Sequence, residues 1–232
     1  MGSAPPDGVR RLLLVRHGVT EWNREGRFQG HLDPPLSSTG REQARLLGAR
    51  LRAVAPRPMR IVTSTLGRAS QTAELIAAEL AAVDGRTELH SDARLMEIGQ
   101  GDWEGRTHAD LALNDPVRYE AWRTSDREPP NGEPVADAQQ RVDALLAELL
   151  PVAPQTALCL VSHGGTLRLV ARSIFGWSIE RTWQTDLDNA SLSWLDETDD
   201  GGWRLGRWND VHHLLGRLTT HVDEADGAPL AL

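Results

Sequence analysis

Two short apolar runs in this chain end in the same way, and no other feature restricts its fold as much. Residues 11–16 read R-L-L-L-V-R and pass straight into His17-Gly18; residues 157–161 read A-L-C-L-V and pass into Ser162-His163-Gly164-Gly165. Short runs this apolar suit strands buried on both faces, the habit of parallel sheets. In an open parallel sheet, ligands bind beyond the carboxyl ends of the strands. Two His-Gly pairs at two such ends are therefore expected to converge on one cleft. Each Gly would let the backbone approach a ligand closely.

The rest of the chain alternates in a compatible way. A polar loop follows Gly18. A helix is expected from Ser38, where hydroxyls precede Glu42 and Gln43. Ala44, Leu47, Leu51 and Val54 give it one apolar stripe, and Pro56 and Pro58 end it. A strand over residues 60–63 leads into a helix carrying Arg68, with Ser64 or Thr65 as its cap. A weaker strand is expected at residues 87–90. The glycine- and proline-rich stretch from about 97 to 134 reads as a cap of loops and short helices. A helix over 133–150, the strand at 157–161 and a helix over 166–175 follow. Strands at 190–195 and 203–208 are joined by a hairpin at Asp199-Asp200-Gly201-Gly202. Together these predict a single α/β domain of three layers, α/β/α, with a mostly parallel sheet. Residues 219–232 read as a mobile tail.

Composition narrows the function. A net charge of -8 disfavours a nucleic-acid partner, though arginines can still build a local anion pocket. The one cysteine, Cys159, lies inside an apolar strand, where an inert core residue is expected. It permits no intramolecular disulfide, and residues 1–10 lack the apolar core of a signal peptide. No apolar run approaches bilayer-spanning length. A cytoplasmic protein without nucleic-acid or membrane partners is expected; a homodimer is compatible with the sequence.

Arg16 adjoins His17, and Arg68 opens a helix after another strand. Guanidiniums match phosphate oxygens bidentately, and a helix N-terminus adds N–H donors. A cation in a helix's first turn opposes the dipole, a local conflict that anion binding would explain. Two imidazoles, two guanidiniums and a carboxylate are the parts for phosphoryl transfer through histidine.

The residues that carry this chemistry fall in five ordered blocks. Leu14-Val15-Arg16-His17-Gly18-Val19-Thr20-Glu21-Trp22-Asn23 is the first, continuing through Arg27-Phe28-Gln29-Gly30, Asp33, Pro35-Leu36-Ser37, Gly40 and Gln43-Ala44. Next come Thr63-Ser64, then Arg68-Ala69-Ser70-Gln71-Thr72-Ala73. Glu97-Ile98-Gly99 leads into Gly101-Asp102-Trp103-Glu104-Gly105, and Val161-Ser162-His163-Gly164-Gly165 closes the series. The pattern, over roughly residues 12–195, resembles the histidine phosphatase (phosphoglycerate-mutase-like) superfamily. That resemblance implies a phosphorylated nucleophile at His17, with Arg16, Arg68 and His163 on the phosphoryl group. It implies Glu97 as general acid and then base, with Asp102 and Glu104 as nearby rivals. It implies a pocket lined by Asn23, Gln29, Gly30 and the Gly164 backbone, and no metal or other cofactor. The substrate would be a small phosphorylated metabolite.

The family holds hydrolases and mutases. Its glycolytic mutases carry Glu-Arg-His-Tyr at the acid block and usually Ser where Gln29 stands. The residues here resemble the phosphatase branch, so hydrolysis is expected and a cofactor-dependent phosphoglycerate mutase is the alternative. Phosphatase members often read Gly-Glu-Ser before the long helix; this chain has Gly132-Glu133-Pro134 and lacks that hydroxyl. Most of the eight Trp are expected in core or lid packing, with Trp103 and Trp122 as candidates to line a substrate cleft, and His212-His213 on the surface without metal partners.

Overall fold

β1 (Arg11–Arg16) and β4 (Ala157–Ser162) lie side by side and parallel near the middle of a six-stranded sheet. Arg11 faces Ala157 and Arg16 faces Ser162, so the residues after each strand, His17 and His163, emerge at the same level. The computed structural model describes residues 10–55, 58–81, 87–124, 128–150 and 157–215. The expected tail from residue 219 lies outside them.

The sheet order is β3-β2-β4-β1-β5-β6, with β2 (Met59–Thr63), β3 (Thr87–Ser91), β5 (Leu192–Glu197) and β6 (Trp203–Asp210). The first four strands in that order run parallel; β5 and β6 are antiparallel additions at one edge. β1 and β4 are buried at every position, as interior strands covered on both faces must be.

Alternate residues of the strands divide between two cores. Leu12, Leu14, Leu158 and Leu160 pack with α6 (Val135–Leu149) and α7 (Gly164–Phe175). Leu13, Val15, Ile61 and Cys159 pack with α2 (Ser38–Val54) and α3 (Gly67–Ala81). The result is the expected three-layer α/β/α arrangement with a mostly parallel sheet. The remaining helices are short: α1 (Glu21–Arg24), α4 (His108–Asn114), α5 (Pro116–Thr124) and α8 (Ile179–Trp183).

Several local expectations are corrected. α2 does begin at Ser38, but its cap is Ser37, one residue ahead of the expected hydroxyls, accepting the Gly40 N–H at 3.0 Å. Neither Ser64 nor Thr65 caps α3; the Asp33 carboxylate, from a distant loop, accepts the Gly67 and Arg68 N–H groups. A carboxylate there suits the positive end of the helix dipole and offsets the awkward position of Arg68. α6 begins two residues later than expected, because Pro134 takes the cap position while the Glu133 carboxylate turns to Arg141 and the Gly99 N–H. α7 begins two residues earlier, at Gly164. β5 cannot start at Ala190, whose φ of 55° places it in a turn. His213 is half-buried rather than on the surface, and burial, the main cause, pushes its pKa down to about 4.

The described residues between 97 and 134, expected as a cap, are loops, 3₁₀ turns and the short helices α4 and α5. At their centre is a buried aromatic cluster of Trp103, Tyr119 and Trp122, joined by Phe28 from the loop after β1. Phe28 bonds through its N–H to the Arg106 carbonyl and through its carbonyl to the Gly105 N–H. The strip that carries Gln29 and Gly30 is thereby tied to the cap.

Candidate active site

The two imidazoles meet at the carboxyl end of the sheet. Their ring centroids are 5.1 Å apart, inclined at 58°, and both side chains are buried. The His17 backbone is tied on both sides: its N–H donates to the Ser162 carbonyl, and its carbonyl accepts from the Ala190 N–H and Asn189 Nδ2. Nδ1 of His17 lies 2.8 Å from the Gly18 carbonyl. A carbonyl only accepts, so Nδ1 carries the ring proton and Nε2 keeps its lone pair.

The glycine after His17 serves a different purpose from the one expected. A Cβ on Gly18 would sit 2.4 Å from the Gly40 carbonyl oxygen. Gly18 therefore admits the backbone of α2, not a ligand. Gly164 does border the site: a Cβ there would lie 3.6 Å from the Arg16 guanidinium carbon.

Arg68 is 1% exposed, and its guanidinium is aimed by loop carbonyls. NH2 donates to Gly30 at 2.8 Å and NH1 to Leu32 at 2.9 Å, with Asp33 Oδ1 at 3.3 Å; Nε is buried without a hydrogen-bond partner. Arg16 donates to the Leu187 carbonyl and lies in the field of Glu97 and Asp188. Burial, then the Arg68 and Arg16 charges, hold His17 well below the ordinary histidine pKa; the bond to Gly18 acts weakly the other way. His163 is depressed by burial first and then by Arg68. Both rings are thus neutral near pH 7.

Glu97 stands at the start of α7. Its carboxylate accepts the N–H groups of Gly165 (3.1 Å) and Thr166 (3.1 Å), and that of Ile98 (2.9 Å). These bonds explain why α7 begins at two glycines, which have poor helix propensity: the carboxylate satisfies N–H groups that a helix start leaves open. Its charge acts on both Arg16 and Arg68. The rival carboxylates are engaged elsewhere. Asp102 accepts from Asn131, and Glu104 staples the backbone of Gln100, His31 and Leu32.

Asn23 completes a capping box on α1 with Thr20, and its Oδ1 also accepts from Asn189. Gln29 is buried with Oε1 3.1 Å from the Thr20 hydroxyl and Nε2 without a partner. Gly30, at φ 50°, contributes the carbonyl that holds Arg68. The sequence reading missed several members of this assembly: Ser64, 2.9 Å from His163 Nε2; Asp33 under Arg68; Asn189 under His17; and Arg168, buried beside Gly164 and held by the Thr185 carbonyl. Ser64 lay inside a quoted block and was readable. Asp33 also stood in the matched pattern, though without an assigned role; Asn189 and Arg168 had no signal beyond ordinary polarity. Among the described residues, no group of three or more His, Cys, Asp or Glu side chains is arranged to hold a metal ion. Nor is any of their helices long and apolar enough to cross a membrane.

Two buried guanidiniums beside a lone-pair imidazole at the carboxyl edge of this sheet suit an enzyme acting on phosphate esters. More narrowly, the chain belongs to the histidine phosphatase superfamily (branch 1), whose pattern matches residues 12–211. It is 34% identical to a Salmonella arizonae protein named "Probable phosphoglycerate mutase GpmB" over 88% of this chain and 94% of that one. Solved structures are also similar. The mycobacterial glucosyl-3-phosphoglycerate phosphatase in complex with VO3 has a TM-score of 0.75 at 33% identity, covering 86% of this chain and 98% of that one. The alpha-ribazole phosphatase from Shigella flexneri has a TM-score of 0.72 at 32% identity, covering 86% and 96%.

Proposed function

We propose that this protein hydrolyses phosphate monoesters of small metabolites through a phosphohistidine on His17, without a metal ion, in the cytoplasm. In the first step the Nε2 lone pair attacks phosphorus. An N–P bond forms, the P–O bond to the alcohol breaks, and protonated Glu97 gives its proton to the departing oxygen. Arg16, Arg68 and Nδ1 of His163 hold the phosphoryl oxygens, where fixed donors in a dry site stabilise developing charge. Gln29, Asn23, Gly30 and Gly164 shape the wall of the same pocket. In the second step ionised Glu97 takes a proton from water, whose oxygen attacks phosphorus. The N–P bond breaks, and phosphate leaves with His17 neutral again.

The observation that carries this reading is the parallel register of β1 and β4, which brings the two rings to 5.1 Å, within the field of two buried guanidiniums. Hydrolysis is preferred over phosphoryl return because the residues at Gln29 and after Glu97 depart from the mutase pattern. The phosphatase names of two solved relatives point the same way. His17→Ala should lower turnover of an aryl phosphate by about 10⁴-fold or more and leave the fold intact. Undiminished turnover refutes the assignment, and loss of activity in EDTA refutes its metal independence.

The mutase name of the curated relative favours a second reading, transfer between positions of phosphoglycerate. A coupled assay on 3-phosphoglycerate, with and without the 2,3-bisphosphate primer, separates the two.

A further inference from the structure

The two site histidines are alike in burial and opposite in what surrounds their nitrogens. His17 has its Nδ1 on a carbonyl. His163 has its Nε2 on a hydroxyl, that of Ser64, at 2.9 Å, while its Nδ1 is buried without a hydrogen-bond partner. A carbonyl dictates the tautomer of its partner; a hydroxyl leaves two choices, because it both donates and accepts. The surroundings of Ser64 remove that freedom. Its side chain is fully buried, and its oxygen accepts the Leu66 N–H at 3.2 Å. Its own proton then needs an acceptor, and Nε2 of His163 is the one that the described residues place within hydrogen-bond distance.

We propose that Ser64 is a positioning residue that sets the tautomer of His163. The chain runs from Leu66 N–H to Ser64 Oγ, and from Ser64 O–H to His163 Nε2. Nε2 therefore holds the lone pair and Nδ1 holds the proton, as a donor to the phosphoryl oxygens. With the hydroxyl turned the other way, His163 would aim a lone pair at an anion, and the two would repel. The site would thus present two imidazoles in complementary forms: His17 offers a lone pair to phosphorus, and His163 offers an N–H to oxygen. The shared low pKa direction matters here, because a neutral ring has a tautomer to choose.

The proposal rests on the phosphate-binding role assigned to His163 above. Nitrogen-15 NMR of the full chain, labelled in its histidines, reads the tautomer directly. His163 should show a pyrrole-type Nδ1 and a pyridine-type Nε2. Ser64→Ala should abolish that bias and weaken binding of inorganic phosphate by about ten- to a hundredfold, the worth of one hydrogen bond to a charged group. Ser64→Thr, which restores the hydroxyl, should return affinity to within about threefold of the native value. A native spectrum with the proton on Nε2 overturns the proposal, even if neither variant folds. So does a folded Ser64→Ala variant with unchanged tautomer and phosphate affinity. Mass-spectrometric detection of phosphate on His17 runs in parallel: its absence from the native enzyme sinks the phosphohistidine reading and leaves the tautomer result standing.

Discussion

The floor of the site and the cap beside it both bury histidine, and they do so by different physics. In the floor, His17 and His163 are enclosed with Arg16 and Arg68, so lost hydration and positive charge together keep the rings neutral. In the cap, His108 packs against Phe28 at 4.4 Å and near Tyr119 and Trp122, and burial alone pushes its pKa down to about 4. The floor is costly to assemble, and the proposed function makes it the receiver of an anion. The cap is an apolar support whose histidine is fastened by one bond, Nδ1 to the Tyr119 hydroxyl at 2.9 Å. Charge concentrated without full compensation marks where a ligand is to come; aromatic packing marks what holds the walls.

Mutations should separate the two regions. Arg68→Met should cost about 10³-fold in kcat/KM, since one fixed donor to the transition state is lost. Unfolding free energy should fall by only about 1–2 kcal/mol, because relief of the cation's burial offsets part of the lost bonds to Gly30, Leu32 and Asp33. A parallel collapse of stability would mean that the floor is structural like the cap. Trp103→Ala should do the reverse. It should remove roughly 3 kcal/mol of stability, at the low end for a buried indole because its N–H has no partner to lose. Denaturant unfolding checks this, and a purely catalytic defect would contradict it.

The pH dependences are smaller effects. An unfolded chain protonates His108 near pH 6.5, and the folded one only near 4. Between these values the unfolded state binds more protons, so stability should fall as pH drops through that window. His108→Gln should flatten the slope by about 1–3 kcal/mol; an unaltered slope would show that the cap histidine does not titrate there. In the floor, attack needs neutral His17, whose pKa lies well below 6.5 in the folded protein. The acid limb of kcat/KM should accordingly fall below pH 6.5, and a half-loss at or above that value would contradict the assignment.

The same contrast explains what could be read beforehand. The floor was legible because its parts are local: a strand, then His-Gly, twice over, with Arg16 and Arg68 at fixed offsets. Strand register did the rest, since two strands ending in the same residues in parallel must bring those residues together. The long helices followed from their apolar stripes. Partnerships across the chain stayed hidden. Asp33 caps α3 from a loop 34 residues before Gly67, and Asn189 holds a carbonyl 172 residues earlier. Asp33 stood within the family pattern, but nothing local names Gly67 as its partner, and the neighbourhood of Asn189 does not differ from a solvated loop. The role of Gly18 was misread for a similar reason: close backbone approach was foreseen, but the approaching chain is α2. In the cap, Trp103 and Trp122 were candidates to line a cleft, but both are buried against each other and against Phe28, a contact that depends on a loop path no periodicity encodes.

The most direct test of the central claim is to stop turnover within milliseconds using a substrate labelled on phosphorus, and to map where the label rests on the chain. Catalysis through His17 leaves an acid-labile, alkali-stable phosphate on the peptide containing that residue, absent from His17→Ala. Rapid turnover with no label on that peptide, or label on another residue, would contradict it.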